Sequence, residues 1–396
     1  LPRPTANMNT SALVVLIFVL LGVTSAVSPV KGPLDADQKI LKFNSEGKFR
    51  IVQFTDLHYG ETPFTKDAQS AQLQKTILEA EKPDLVIMTG DCVSGYAWDG
   101  SQGWTAKQWE KLTEPMVSLG YPWALALGNH DDQGDLSKRE IVLLDMKHNL
   151  SYTQEGPYHL NGATNYYLPV FSSTNPSEPA TMLWMFDSND NNCLDVPGWG
   201  CVYPDQVDWY VAASEELKAK HNKIIPGLAF FHIPLPEFMN VWNYQATYGR
   251  LEDEGVCCFS VNTGLYSAMK QTGNIAAVHC GHDHNNDYYG DYFGITLAYG
   301  RKSGHGGYGP PIGWKRGARV IEITENPFSI QYWIRQEDGT FVTQQELHSP
   351  GTRQTFLCCG AQSATGPKGN CERYEQEYRK LHGLEHLARG KHADEL

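Results

Sequence analysis

His282 and His284 stand one residue apart in the stretch Gly281, His282, Asp283, His284. Residues so spaced at a strand end project to one side, so two neutral imidazoles there can reach cations lying side by side. Surface or core histidines without any ligand role give the same pattern, so its meaning depends on oxygen donors elsewhere. The chain supplies oxygen donors at three further places, Asp56 with His58, Asp91 after Gly90, and Asn129 with His130 and Asp131 after Gly128, and another imidazole at His232. Carboxylate, amide and imidazole donors without a thiolate suit iron, manganese, zinc or magnesium rather than a soft metal. So many candidates exceed what one tetrahedral or octahedral ion would hold with room for substrate. They point to two metal ions, and a carboxylate such as Asp91 has the two oxygens needed to bridge them.

Each group follows a segment that reads as a strand. Residues 49–54 (FRIVQF) are rich in β-branched and aromatic side chains and run directly into Thr55 and Asp56. Apolar runs at 84–89, 123–127, 224–231 and 274–280 lead in the same way to Asp91, Asn129, His232 and His282, and Pro234 and Pro236 end regular pairing beyond His232. Between these runs, 66–81, 106–119 and 136–148 read as helices, as does Pro204–His221, which Pro204 opens. The alternation predicts βαβ units with parallel pairing and a layered α/β fold. Tyr166–Phe171, 181–187, 294–299, 318–324 and 328–334 add further strands. The Gly-rich loop 300–317 carries Arg301 and His305 as candidate substrate contacts.

In order, these motifs read D-x-H, G-D, G-N-H-D, H and G-H-x-H, a pattern that resembles the calcineurin-like metallophosphoesterases over nearly all of residues 49–335. The words around His58, His232 and His284 are similar to the plant and fungal branch known as purple acid phosphatase-like. True purple acid phosphatases carry Asp-x-Gly in the first motif and a tyrosine ligand in Gly-Asp-x-x-Tyr. Here His58 and Ser94 occupy those positions, which withdraws the basis for tyrosinate colour and for an obligatory ferric ion.

The resemblance implies a four-layer α/β/β/α sandwich with two metals at the strand ends. It places Asp56, His58 and His284 on the first metal, Asp91 between the two, and Asn129, His232 and His282 on the second. His130 would sit over the phosphate, with Asp131 orienting its ring. A hydroxide bridging the metals would attack phosphorus, so no protein nucleophile is needed, and Cys92 is expected to be buried packing. The implied activity is that of a phosphomonoesterase. The alternatives are a phosphodiesterase acting on nucleotides or lipid head groups, and a non-catalytic metal-binding interaction protein.

The chain has 396 residues with 32 Lys and Arg against 45 Asp and Glu, a net charge of −13, so nothing favours a nucleic acid as partner. A phosphorylated substrate would be drawn by the metals locally. Residues 12–23 are unbroken apolar sequence, short for a bilayer span, and Thr24, Ser25 and Ala26 follow. This reads as a secretory signal at 1–26, with no stable membrane span after cleavage. The phosphoesterase region is expected at 35–347, and 348–396 is a C-terminal extension with an amphipathic helix at 371–389. Its final Ala393, Asp394, Glu395, Leu396 is one substitution from an endoplasmic-reticulum retrieval signal, so the expected location is that lumen or secretion. All nine cysteines follow the signal, consistent with an oxidising compartment. Cys193 and Cys201 should form a local bridge, and the adjacent pairs Cys257, Cys258 and Cys358, Cys359 should each divide between partners. Asn149, Leu150 and Ser151 make a glycosylation sequon.

Overall fold

The computed structural model describes residues 40–252, 255–343 and 347–350. Strand β1 (Lys48–Phe54), helix α1 (Thr65–Glu81), β2 (Leu85–Thr89), α2 (Trp104–Leu119), β3 (Trp123–Ala126) and α3 (Lys138–Asp145) form the first half. Then come β4 (Tyr166–Phe171), β5 (Pro179–Met185), the hairpin β6 (Asn191–Cys193) and β7 (Val196–Trp199), α4 (Pro204–His221) and β8 (Gly227–Phe230). The remainder comprises α5 (Glu237–Tyr244), β9 (Thr247–Tyr248), α6 (Leu265–Thr272), β10 (Ile275–Cys280), β11 (Tyr289–Tyr292), β12 (Ile295–Tyr299), β13 (Gly317–Glu325), β14 (Phe328–Gln336), β15 (Phe341–Val342) and β16 (Leu347–His348).

One six-stranded sheet runs in the order β15-β14-β13-β1-β2-β3, and an eight-stranded sheet runs β16-β9-β11-β12-β10-β8-β5-β4. The expected parallel pairing is found between β1, β2 and β3 at one end of the first sheet and between β5, β8, β10 and β12 in the middle of the second. Alternation along β1 explains the layering. Phe49 and Ile51 point between the sheets with Leu85 and Ile87, where they meet Leu183, Met185, Leu228 and Phe230. Val52 and Phe54 point the other way, into Leu73, Ile77, Trp109 and Leu112 of α1 and α2. The second sheet buries Trp184, Ala229 and Val278 against Trp209, Tyr210 and Met269 of α4 and α6. The result is the expected α/β/β/α sandwich, in which each fully buried large apolar side chain contributes about 1.5–3 kcal/mol. Gln53 ties the layers together, its Nε2 donating to Thr89 Oγ1 on one sheet and to Cys280 O on the other.

Local chemistry sets the helix bounds. In α3, the Ser137 hydroxyl accepts from the Glu140 N–H and the Glu140 carboxylate accepts from the Ser137 N–H, so the helix begins inside the expected 136–148. Pro226 likewise delays β8 to Gly227. The short helices α5 and α6 and the hairpin β6–β7 were not legible in the sequence; their packing and the Cys193–Cys201 disulfide hold them. The expected signal segment, C-terminal helix, tail tetrapeptide and Cys358 and Cys359 lie outside the described residues. Asn149 of the sequon is exposed. Among the described residues no helix is long and apolar enough to cross a membrane.

Candidate metal centre

Five strand ends meet at one edge of the two sheets. From the first sheet, β1 delivers Asp56 and His58, β2 delivers Asp91, and β3 leads to Asn129; from the second, β8 leads to His232 and β10 to His282 and His284. Backbone geometry aims them. Asp56, His58, Asp91 and His282 all adopt positive φ, at 53°, 51°, 48° and 75°. Such conformations cost on the order of 1–3 kcal/mol each and persist only where the surroundings over-determine them. One glycine is required by approach: a Cβ on Gly128 would lie 2.3 Å from the Asp91 N and Oδ1 atoms.

Two donor clusters result, and both are buried. Asp56, His58, Asp91 and His284 place one ligand atom each within 4.8 Å of one another, and Asp91, His232 and His282 do the same. Asp91 belongs to both clusters. Its Oδ2 lies 3.6 Å from His58 Nε2 and 3.1 Å from His232 Nε2. His58 Nε2 and His284 Nε2 face each other at 3.2 Å, and His282 Nδ1 and His232 Nε2 at 3.3 Å. Converging imidazole nitrogens around buried carboxylates are a donor arrangement that fits cations. Asn129 adds to the fit, because its side-chain oxygen and nitrogen are both buried without a hydrogen-bond partner.

The electrostatics show how strongly this pocket asks for positive charge. Burial pushes the Asp56 and Asp91 carboxyls up, but neighbouring imidazoles outweigh it, His284 foremost for Asp56 and His232 for Asp91, and both stay well below the usual range. Burial lowers His232 as well, yet the Asp91 carboxylate lifts it to about 9. Burial drives His58 and His282 well down, and His284 to about 4. Neutral imidazoles are the form that binds a metal.

For three of the four imidazoles the other ring nitrogen is anchored. His58 Nδ1 meets Ser94 Oγ at 2.9 Å, His232 Nδ1 meets Thr89 O at 2.8 Å, and His284 Nδ1 meets Tyr308 O at 2.8 Å. Such partners fix the tautomer that turns a lone pair toward the ion. Behind Ser94, the Glu61 carboxylate accepts from Ser94 Oγ, Tyr96 OH, Lys66 Nζ and the Gly307 N–H. Lys302, fully buried, donates to the carbonyls of Asp56 and Gly306, and burial lowers it to about 7. Single positions such as Glu61, Tyr96 and Lys302 carry no sequence signal, since only the tertiary fold brings them to the ligands.

His130 is half-buried beside the clusters, its ring 5.7 Å from that of His58 and 4.8 Å from that of Tyr96. Its backbone N–H donates to Asp91 Oδ1 at 2.9 Å. Asp131 does not orient its ring. That carboxylate accepts from the N–H groups of Val93 and Gly128, and burial with nearby Asp91 raises it to about 6. Gln133 takes the expected place, with Oε1 2.8 Å from His130 Nδ1. Arg301 is a second correction. It is buried, paired with Asp287, bonded twice to Lys315 O and stacked on Trp314, so it braces the loop instead of facing a substrate. His305 is tied away too, with Nε2 3.2 Å from Glu337 Oε2. Cys92 is fully buried and burial raises its thiol, as packing requires.

An α/β/β/α sandwich with two donor clusters sharing one aspartate defines a metallophosphoesterase. Residues 49–286 match the profile of the calcineurin-like phosphoesterases, and the chain belongs to that family. It is 31% identical over 320 residues to a protein of Arabidopsis thaliana named probable inactive purple acid phosphatase 14, covering 73% of this chain and 78% of that one. It is 30% identical over 335 residues to phosphatase DCR2 of Saccharomyces cerevisiae, covering 76% of this chain and 56% of the yeast protein. A dimetal phosphatase from Danio rerio superposes with a TM-score of 0.48 at 11% identity, covering 74% of this chain and 98% of the other.

Proposed function

We propose that the protein is a two-metal phosphomonoesterase of the secretory pathway. The observation that carries this reading is Asp91, one buried carboxylate shared by two donor clusters. Asp56, His58 and His284 would hold the first ion with Asp91, and Asn129, His232 and His282 the second. When bound, two cations supply charge neutralisation for the phosphate and a nucleophilic water whose pKa falls toward about 7. The chain's own residues do the rest. Glu61 and Ser94, Thr89 O and Tyr308 O orient His58, His232 and His284. Gln133 Oε1 accepts from His130 Nδ1, which leaves Nε2 to meet a substrate, where the ring in its doubly protonated imidazolium form would donate a proton to the departing oxygen. The Cys193–Cys201 disulfide supports an oxidising compartment.

The Arabidopsis relative, named as probably inactive, favours a second reading, a metal-binding protein without turnover, and the yeast relative, named a phosphatase, favours the first. Elemental analysis decides, combined with hydrolysis of an aryl phosphate monoester and its matched diester before and after chelation. The expected result is two ions per chain, faster monoester turnover, loss on chelation and recovery with added metal. Asp91→Asn and His232→Ala should each lower that turnover by at least about 100-fold. Two bound ions with neither ester hydrolysed would move the protein to the second reading, and failure to take up metal would overturn both.

A further inference from the structure

Of the four clustered histidines, three have an oxygen on the ring nitrogen that faces away from the cluster: Ser94 Oγ for His58, Thr89 O for His232 and Tyr308 O for His284. His282 differs. It points Nδ1 at the cluster, 3.3 Å from His232 Nε2, and its Nε2 is buried without a hydrogen-bond partner. For Nδ1 to offer a lone pair, Nε2 must carry the proton, so a buried N–H is left to be satisfied. What lies against His282 is the Trp199 indole, perpendicular at 85° with ring centroids 4.3 Å apart. That approach sets the edge of one ring toward the π face of the other, a geometry in which a ring N–H can be received by the facing ring. Trp199 Nε1 is buried without a hydrogen-bond partner as well, and the opposite pairing, indole N–H on the imidazole face, would satisfy it while leaving unsatisfied the His282 Nε2–H that a lone pair on Nδ1 requires.

The position of Trp199 is built. It ends β7, pairs across the hairpin with Asn191, and bridges to Phe259. Its carbonyl accepts from the N–H and the hydroxyl of Ser260. The preceding Gly198 adopts φ 134°, and a Cβ there would lie 2.9 Å from the Ser260 Cβ, so only glycine lets the hairpin sit this close. The Cys193–Cys201 disulfide closes the same hairpin on both sides of the turn.

We infer that Trp199 is a positioning residue for the second metal site: its indole face receives the His282 Nε2–H and so fixes the tautomer and ring angle that turn Nδ1 toward the ion. This rests on the two-metal reading. It assigns to the disulfide-closed hairpin a task that a hydroxyl or a carbonyl performs for the other three imidazoles.

The test is manganese(II) titration of the chelator-stripped full chain by calorimetry, comparing wild type with Trp199→Leu and Trp199→Phe. Leucine fills space without a π face, and phenylalanine keeps a face but has no N–H. The expected result is two manganese sites in wild type, one of them weakened by about 10–100-fold in Trp199→Leu and restored to within a few-fold in Trp199→Phe. The other site and the metal-free melting temperature should stay close to wild type. Wild-type affinity at both sites in Trp199→Leu overturns the assignment alone, as does a failure of phenylalanine to rescue a folded protein. A wild-type chain that binds no manganese overturns the two-metal reading and this assignment with it.

Discussion

Asp56, His58, Asp91 and His282 hold positive φ at the same edge of the molecule, so the ligand shell is aimed by backbone that would relax elsewhere if the packing allowed it. The exchange of Asp131 for Gln133 beside His130 is the residue-scale finding with the most direct chemical consequence. Gln133 is neutral, so it orients the ring without stabilising an imidazolium the way a carboxylate would. His130→Ala is expected to lower kcat by about 10²–10⁴-fold, and Gln133→Ala by up to roughly 100-fold, both with two metals still bound. Steady-state kinetics with metal analysis on the same samples checks this. Equal turnover in Gln133→Ala and wild type would remove Gln133 from the reaction. Asp131→Asn should behave differently, because its carboxylate ties the N–H groups of Val93 and Gly128; its effect belongs to stability and metal retention.

At the scale of elements, the hairpin β6–β7 does more than decorate the rim. Its two strands span only Asn191–Trp199, too little for independent stability, and the bridge between Cys193 and Cys201 compensates by closing a loop with a sequence separation of 8. Closing a loop of that size stabilises by about 2–3 kcal/mol in the chain-entropy account. The double variant Cys193→Ser, Cys201→Ser should therefore melt lower by a corresponding amount, and it should weaken the same manganese site as Trp199→Leu. Thermal melts and manganese titration of that variant are the check. A variant that melts lower yet binds both ions as wild type does would show that Ser260 and Phe259 hold Trp199 without the disulfide.

For the whole molecule, the metal centre and the polar contacts between the sheets are one system, since each sheet contributes ligands and Gln53 bonds across the interface. His279 lies in that interface, fully buried, stacked on Phe230 at 4.8 Å and 3.2 Å from Tyr332 OH. Burial, helped by the Arg319 guanidinium, lowers it from 6.5 to about 3. A histidine depressed in this way is neutral in the fold but takes up a proton on unfolding below 6.5. Its contribution to stability is thus full above that pH and drains away as pH falls toward 3. Within this window the loss is about 1.4 kcal/mol per pH unit. Denaturant melts between pH 7 and 5 should show a shallower acid slope in His279→Phe than in wild type; parallel slopes would mean that His279 titrates alike in both states.

The sequence by itself marked a layered α/β fold and the strand-end donors, because buried parallel strands must be continuously apolar and a strand end is where a chain can change abruptly to polar donors. The family resemblance supplied the four-layer sandwich and the division of those donors between two ions. The alternation of apolar run and polar tip marks Asp56, Asp91, Asn129, His232 and His282 without any knowledge of contacts. What surrounds those ligands was decided by tertiary structure alone. Glu61, Lys302 and Trp199 lie in loops or at a hairpin end, and no period in the chain distinguishes them from their neighbours. Arg301 shows the same limit from the other side: a cation in a Gly-rich loop reads as free to meet a substrate until the fold sets Asp287 beside it. A carboxylate or indole becomes a partner only through the distance and direction at which it arrives, and those depend on how two sheets close over one another.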